Sequence, residues 1–398
     1  MIIEIISAIV LGILIGTVTG ITPGIHINLT LSIFIPFIII SRFNPNYLIA
    51  FIISMAITHT FIDFIPSIYL GAPNEDTILS ILPGHEFLLE GKGHEAVLLT
   101  LIGASSSTII LIILIPLFNF FVPYIFPFIQ RMMAWILILI SIFLISKEKN
   151  SKFNAFVIFI LSGFLGIVSL NMSANQTLLP LLTGLFGAPV LIISVQKRID
   201  IPEQKIGKFI FNVKELLKPI LTTALVSPVC SFLPGVGSSQ AAVIGSEITG
   251  NMNRKEFLIF NGSINTLVLS VSFLTLYSIQ KSRSGPANAI QQIATLTSNH
   301  LPLIISSVLI SALFSIFSAI QISKIFAKNI NKINYAKISL FVLILMILMI
   351  FIFSGSIGLM IFVSSAFLGL TCTDWNVKRT HLMGCLLIPT ILFYLPIF

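Results

Sequence analysis

Charged side chains are scarce in this sequence. Asp, Glu, Lys and Arg make up 9% of its 398 residues, whereas hydrophobic residues make up 56% and the mean hydropathy is +1.06. An ordinary soluble domain has about a quarter of its residues charged. The composition therefore excludes a soluble protein and predicts an integral protein that crosses the membrane many times.

Cysteine and the motifs of hydrolytic enzymes are also poorly represented. The three cysteines, Cys230, Cys372 and Cys385, have neither the spacing of a metal site nor that of a redox pair. The sequence contains no Gly-x-Ser-x-Gly, no His-Glu-x-x-His and no pair of intramembrane aspartates, so a hydrolase would lack its nucleophile and base. We therefore expect no enzyme activity, no metal centre and no cofactor.

The apolar segments form two matching series. In each half a broken hairpin, at 4–40 and at 219–250, precedes five spans. If each hairpin enters and leaves on one side, an odd number of crossings separates the halves, and the second half is upside down. The sequence predicts an all-α polytopic membrane protein with two inverted-topology repeats, 1–195 and 219–398, joined by a cytoplasmic basic linker, 196–218. The expected spans are 48–66, 96–118, 132–146, 153–170 and 176–195, then 257–279, 301–322, 337–353, 355–370 and 383–397.

Lys and Arg are unevenly distributed over the connections between these spans. With 196–218 placed in the cytoplasm, 18 of the 22 lie on the cytoplasmic side. This bias is typical of cytoplasmic loops and supports the span count. Three prolines lie within 109–146, and proline interrupts helices. This region, with the outer loop expected at 119–131, could therefore be divided differently into spans and loops. Because the basic residues serve topology, the net charge of +8 indicates no nucleic-acid partner.

Two Pro-Gly dipeptides, at 23–24 and 234–235, interrupt long apolar segments 211 residues apart. A helix broken inside the membrane is tolerated only where it lines a protein or water cavity, and matched breaks mark transporter binding sites. The half-helix after each break presents unpaired N–H groups and a positive dipole end, which favour an anion. We expect the substrate to contact Thr22, Pro23, Gly24, Ile25, His26, Asn28, Pro234, Gly235, Val236, Gly237, Ser238 and Ser239. The alternative is that the breaks only kink packed helices, with Gly12, Gly16, Gly20, Gly237 and Gly245 allowing close approach.

His59 and Asp63 are ionisable residues inside an apolar span, four positions apart and therefore on one helix face. Such residues are costly to bury and often functional, so the pair is a candidate coupling site for H⁺ or Na⁺. Because Asp63 lies near the expected end of its span, an interfacial structural pair is the alternative. The second half has Asn261 and Asn265 at the equivalent place, and neither can titrate.

Two loops also correspond between the halves, and each contains Gly, Pro and Asn. We expect gates over the site at Pro73 and Asn74 in the first half and at Pro286 and Asn288 in the second. The alternative is that both segments are solvated connections.

Three segments of the sequence are GTVTGITPG at 16–24, LPGHEFLLEGKG at 82–93 and FLPGVG at 232–237. Together they resemble the TctA family, the large permease subunit of tripartite tricarboxylate transporters. The resemblance extends over nearly the whole chain. It implies a secondary carrier of inverted repeats that holds its substrate between the two Pro-Gly hairpins and is driven by a cation gradient. It also implies an extracytoplasmic binding protein and a small membrane subunit, whose presence a single chain does not decide.

These features predict a permease that moves a small organic anion, such as a di- or tricarboxylate, across the cytoplasmic membrane together with H⁺ or Na⁺. The alternative is a translocase of a lipid-linked phosphate such as polyprenyl phosphate, which would use the same helix ends for the phosphate and leave the tail in the bilayer. The expected partners are the anionic substrate and the lipid bilayer, and a homodimer remains open.

Overall fold

A computed structural model describes residues 2–23, 27, 30–31, 43–71, 77, 81–148, 150–173, 176–197, 201–207, 209, 211–232, 238–250, 252–282, 284–332 and 335–395. Within these ranges all regular secondary structure is helical. The helices are α1 Ile2–Ile21, α2 Pro45–Ile62, α3 Phe64–Leu70, α4 Ile81–Leu89, α5 Gly93–Ser146, α6 Lys152–Asn171, α7 Leu178–Leu182, α8 Ala188–Lys197, α9 Lys214–Phe232, α10 Ser238–Thr249, α11 Arg254–Ile279, α12 Gly285–Ile293, α13 Leu301–Asn329, α14 Tyr335–Asp374 and α15 Gly384–Tyr394. A π-helical turn, Thr183–Gly187, joins α7 to α8.

Seven of the described helical segments are long and apolar enough to cross a membrane. Two of them, α5 with 54 residues and α14 with 40, exceed what one crossing needs, since about 20 residues suffice. The predicted all-α polytopic architecture is therefore confirmed. The orientation of the two repeats relative to each other stays a prediction.

Helix α14 contains the break predicted near residue 354. Gly355 has φ 65° and ψ −160°, a conformation outside the helical region that a residue without a Cβ adopts at little cost. The two spans expected at 337–353 and 355–370 are thus two helical arms that meet at this glycine.

The loop expected at 119–131 is wrong, because α5 is helical throughout this region. Pro116, Pro123 and Pro127 follow one another at seven and four residues, so they share one face, and that face is exposed. The carbonyls that lose a partner to proline therefore lie on the outer surface, while Phe118, Val122 and Phe126 pack inward. The inward face of α5 joins one hydrophobic cluster as far as Phe126 and a second one from Met133 onward.

Helices of one half pack on helices of the other half in a regular pattern. In the first half α1 packs on α2, and in the second α9 packs on α11. Helix α2 packs on α13 of the other half, and α11 packs on α5 of the other half. The same pattern joins α6 to α15 and α8 to α14. Two repeats related by a twofold axis would give this pattern.

The expected linker is partly tied to the helical body. Helix α8 extends to Lys197 and α9 begins at Lys214, which shortens the connection. Gln204 is buried; its side-chain oxygen accepts from the Gly93 amide at 2.8 Å, and its Nε2 donates to the Leu88 carbonyl at 2.9 Å. The segment therefore fixes the turn between α4 and α5 as well as joining the halves.

Glycines allow the closest helix contacts in this fold. Gly12, Gly16 and Gly20 place one face of α1 directly on the backbone and β-carbons of α2. At the crossing of α5 and α11, Gly103 lies against the Ile259 carbonyl and Gly262 against the Thr100 carbonyl. Such small-residue contacts bring backbones close where lipid supplies no hydrophobic drive for association.

Replacing Gly262 by Ala tests the crossing of α5 and α11. The added Cβ would overlap the Thr100 carbonyl oxygen, so the helices must separate, at a cost of about 1–3 kcal/mol. We expect a melting temperature in detergent lower by several degrees. Gly207→Ala is the matched control, because a Cβ there meets no atom within 4 Å. Equal melting temperatures for the two variants would contradict the crossing.

Candidate functional site

The candidate site is built around the segment formed by α2 and α3. Pro45–Leu70 is one span, and its most apolar stretch is wholly buried. The helix is interrupted at Asp63 because Pro66 has no N–H to donate to the Ile62 carbonyl four residues earlier. Seven helical residues follow Asp63, so the helix continues four residues beyond the expected end of this span at 66. The Asp63 side chain is 3% exposed.

His59 is bonded to the last turns of α1, just before the first Pro-Gly break. Its Nδ1 lies 3.0 Å from the hydroxyl oxygen of Thr19, and both side chains are buried. Thr19 also contacts the Gly16 carbonyl at 3.2 Å, which leaves its hydroxyl shared between its own helix and the imidazole. The helix that leads into the first break is thereby held against the predicted coupling pair.

Asp63 is connected to the helix that follows the second break. Asn265 of α11 donates from Nδ2 to Asp63 Oδ2 at 3.2 Å. Ser238, the first residue of α10, donates from Oγ to Asn265 Oδ1 at 3.3 Å. Asn265 is 1% exposed and Ser238 3%. The residue pair that corresponds between the halves, Asp63 and Asn265, therefore makes direct contact.

Two further hydrogen bonds fix the helices that carry these residues. The hydroxyl oxygens of Thr60 and Thr266 lie 3.2 Å apart and join α2 to α11. Ser315 of α13 donates to the Thr58 hydroxyl at 3.0 Å. All four side chains are buried. A polar layer thus crosses the interior of the helical body, where each unpaired group would cost free energy.

The structure describes only part of the predicted substrate site. Gly24, Ile25, His26, Asn28, Pro234, Gly235, Val236 and Gly237 lie outside the described residues. Thr22 and Pro23 follow α1, and the Thr22 hydroxyl donates to the Val18 carbonyl at 2.7 Å. Ser238 and Ser239 open α10. Of the predicted residues, the structure therefore brings Ser238 and Asp63 together through Asn265, and it brings His59 to the end of α1.

The second predicted gate loop is helical. Pro286 occupies the first turn of α12, and Asn288 lies within that helix. Ser284 caps the helix by accepting from the Ala287 amide at 3.3 Å, and its hydroxyl lies 2.7 Å from that of Ser272 on α11. Proline is favoured at this position because its missing N–H would be unpaired there anyway. The other two gate residues, Pro73 and Asn74, lie outside the described residues.

An ion-pair network joins the halves at the start of α11. Arg254 bonds Glu86 at 3.3 Å and Glu90 at 2.7 Å, and Lys255 bonds Glu95 at 2.9 Å. The hydrogen bonds from Arg254 and Lys92 hold the pKa of Glu90 below its usual value. All of these residues are at least partly exposed, so each pair adds little free energy.

Sequence reasoning missed a second buried polar cluster. Glu148 and His381 stand in connections that it treated as solvated, yet both are buried and their side chains bond at 3.0 Å. Glu148 also accepts from the Lys378 amide at 3.3 Å. A lone acid and a lone histidine 233 residues apart carry no periodic signal, so only the fold could pair them. No group of metal-ligating side chains occurs among the described residues.

These helices define a multi-pass integral membrane protein with a buried polar centre. Residues 6–384 match the tripartite tricarboxylate transporter TctA family. The chain therefore belongs to the TctA family, a family of transporter permeases, as the sequence resemblance suggested.

One relative is from Methanocaldococcus jannaschii and bears the name Uncharacterized protein MJ1079. It is 34% identical, and the match covers 97% of this chain and 98% of the relative. The two proteins are thus similar end to end. No solved structure matches this chain.

Cysteine cross-linking tests the contact between α2 and α11 on which the site depends. In a variant without native cysteines and with a protease site after Gly207, the pair Thr60→Cys and Thr266→Cys should form a disulfide, because the native hydroxyls are 3.2 Å apart. The cleaved halves should then migrate as one band until they are reduced. Thr60→Cys with Ser270→Cys, one turn away, is the control. Equal cross-linking of both pairs, or of neither, would contradict the contact.

Proposed function

We propose that this protein is a secondary active transporter that moves a small organic anion, such as a di- or tricarboxylate, across the cytoplasmic membrane together with H⁺ or Na⁺. The observation that carries the proposal is the buried carboxylate of Asp63, which is linked through Asn265 to Ser238, the first residue of the helix that follows the second Pro-Gly break. Membership of a permease family supports the transport class.

The anion is proposed to bind between the two Pro-Gly breaks. Helix α10 begins at Ser238 and has 12 residues, so its first N–H groups and its dipole favour negative charge at that end. A carboxylate oxygen would accept hydrogen bonds from these groups and from the serine hydroxyls. The bond between Thr19 and His59 places an imidazole near the end of α1, beside the first break.

The cation is proposed to bind at Asp63, with His59 one turn earlier as the second coupling residue. An ionised carboxylate inside a membrane protein is costly unless it is paired or functional. Uptake of H⁺ or Na⁺ neutralises that charge and so removes its repulsion of an anion bound nearby. The bound anion, in turn, attracts the cation. Joint binding of the two is therefore more favourable than binding of either alone.

The family's description as tripartite supports, by analogy, an extracytoplasmic binding protein and a small membrane subunit as partners. Both belong to the proposal, and so does a homodimer of this chain. The bilayer surrounds the exposed apolar faces of α5, α6, α13 and α14.

The alternative, translocation of a lipid-linked phosphate, has one observation in its favour. A cavity of about 170 Å³ lies beside the second hairpin and is almost entirely apolar. Leu225 and Ile248, both largely exposed, stand at its edge toward the lipid. The lining residues are Ile140, Thr222, Leu225, Val226, Cys230, Ile244, Ile248 and Thr249. Such a cavity would suit part of an apolar tail.

Thermal stabilisation of the purified protein separates the two functions. The probes are citrate, succinate, inorganic phosphate and a short-chain polyprenyl phosphate, each with and without Na⁺ and at acidic and neutral pH. A ligand at 100 times its Kd stabilises the folded state by about 2.7 kcal/mol. We expect a shift with a carboxylate that grows with Na⁺ or acid. A shift with polyprenyl phosphate alone would replace the carrier by the lipid translocase.

Asp63→Asn tests the coupling site. The amide keeps the size of the side chain but cannot bind H⁺ or Na⁺ as a carboxylate does. We expect citrate or succinate still to stabilise this variant, but without dependence on Na⁺ and with only the pH dependence that His59 supplies. Glu90→Gln is the control, because Glu90 is partly exposed and lies in the ion-pair network at the start of α11. Normal cation dependence in Asp63→Asn would remove Asp63 from the coupling site.

A further inference from the structure

Asn265 stands between the proposed cation site and the proposed anion site. Its side-chain amide makes one hydrogen bond as a donor and one as an acceptor. Nδ2 donates to Asp63 Oδ2 at 3.2 Å, and Oδ1 accepts from Ser238 Oγ at 3.3 Å. All three side chains are at least 97% buried. A chain of two hydrogen bonds therefore connects a carboxylate on α2 to the hydroxyl at the start of α10.

The direction of both bonds is set by the charge of Asp63. An ionised carboxylate only accepts hydrogen bonds, so the amide must turn its NH₂ group toward it. The amide oxygen then faces Ser238, and the serine hydroxyl must donate to it. In this state the Ser238 proton is committed to Asn265.

A cation on Asp63 reverses this arrangement. Once the facing carboxyl oxygen carries a proton, it donates and needs an acceptor, whereas Na⁺ at the same place needs oxygen ligands. In both cases the favoured amide orientation is the one that turns Oδ1 toward Asp63. Rotation by half a turn exchanges the two amide atoms without moving the helices.

We propose that Asn265 is a positioning residue that transmits cation binding at Asp63 to the anion site through the hydroxyl of Ser238. When the amide turns, its NH₂ group donates to Ser238 Oγ, and the hydroxyl proton is released from Asn265. It can then donate to an anion at the start of α10, next to the helix N–H groups. The inference rests on the proposed function and names the physical link between its two ligands.

Other titratable groups lie on the same segment and on the helices packed against it. His59 is one turn from Asp63 and bonds Thr19, so it is the principal second site for a proton. The others are Tyr47 on α2, Tyr69 on α3, Glu4 on α1, His85 and Glu86 on α4, His94, Glu95, Tyr124 and Arg131 on α5, Arg254, Lys255, Glu256 and Tyr277 on α11, Lys324 and Lys328 on α13, and Lys337, Cys372 and Asp374 on α14. Helix α12 has none.

The path from Asp63 through Asn265 to the Ser238 hydroxyl is called the relay below. Two substitutions test the relay because they should change the anion affinity in opposite directions. Asn265→Leu removes the acceptor that holds the Ser238 proton, so the anion affinity should stay at the high, cation-bound value without cation. Ser238→Ala removes the donor, so the affinity should stay at the low value even with cation. Both variants should lose most of the cation dependence, because only the direct effect of the cation's charge on the anion is left. In the unmodified protein we expect cation to raise affinity on the order of tenfold, a common coupling strength.

The measurement is the Kd of citrate and of succinate by calorimetry on the full chain, in a Na⁺ series and a pH series. The two series distinguish the coupling ions. Ser238→Thr keeps a hydroxyl and should retain the coupling. Ser270→Ala is the structural control, because the buried Ser270 hydroxyl donates to the Thr266 carbonyl of its own helix at 2.7 Å. Melting temperatures confirm that each variant is folded.

Every outcome decides the relay. High affinity in Asn265→Leu together with low affinity in Ser238→Ala supports it. Low affinity in both would make Asn265 a purely structural residue, and unchanged coupling in either would exclude the relay while the carrier function stands. If the unmodified protein binds neither carboxylate under any condition, the proposed function fails and the relay fails with it.

Discussion

The structure depends on the requirement that polar groups inside a membrane protein find their partners within the protein. Asp63 is the clearest example, because its side chain is buried and lies within a mainly apolar span. Asn265, in the other half of the chain, donates a hydrogen bond to it. One hydrogen bond thus pairs this buried carboxyl group and joins the two halves of the chain. It lies one turn from His59, which bonds the end of α1, and next to Ser238, where α10 begins.

Close helix packing holds the two helices that carry that hydrogen bond against their other neighbours. The crossing of α5 and α11 has glycine on both sides, and α1 rests on α2 through three glycines one turn apart. Larger residues on α1 would hold its backbone farther from α2 and remove the short contact between Thr19 and His59. The small-residue pattern and the polar layer are therefore parts of one arrangement. The two interpretations of the Pro-Gly hairpins, packing and binding, do not exclude each other.

Much of the fold was predictable from the sequence, because hydropathy and loop charge respond directly to the bilayer. The helical class and the break near Gly355 follow from patterns that repeat along the chain. The sequence also placed Asp63 and Asn265 at equivalent positions of the two halves, but it did not predict that they are in contact. The loop at 119–131 was wrong because three prolines on one exposed face leave the inward contacts of a helix intact. The span that contains Asp63 was ended too early, because α3 continues it beyond Pro66 to Leu70. The partners Thr19 and Ser315 gave no signal, since threonine and serine are common in every span.

The polar layer also constrains how such a protein can move. Helices α2 and α11 are joined by two side-chain bonds, and each packs on a long helix of the other half. Sliding α2 past α11 would break the Asp63 and Thr60 contacts together and leave buried groups unpaired, at a cost of about 1–3 kcal/mol for each. Turning the Asn265 amide requires no such displacement, because its two polar atoms exchange places at the same positions. A signal that passes through side-chain orientation is therefore less costly here than one that passes through helix movement.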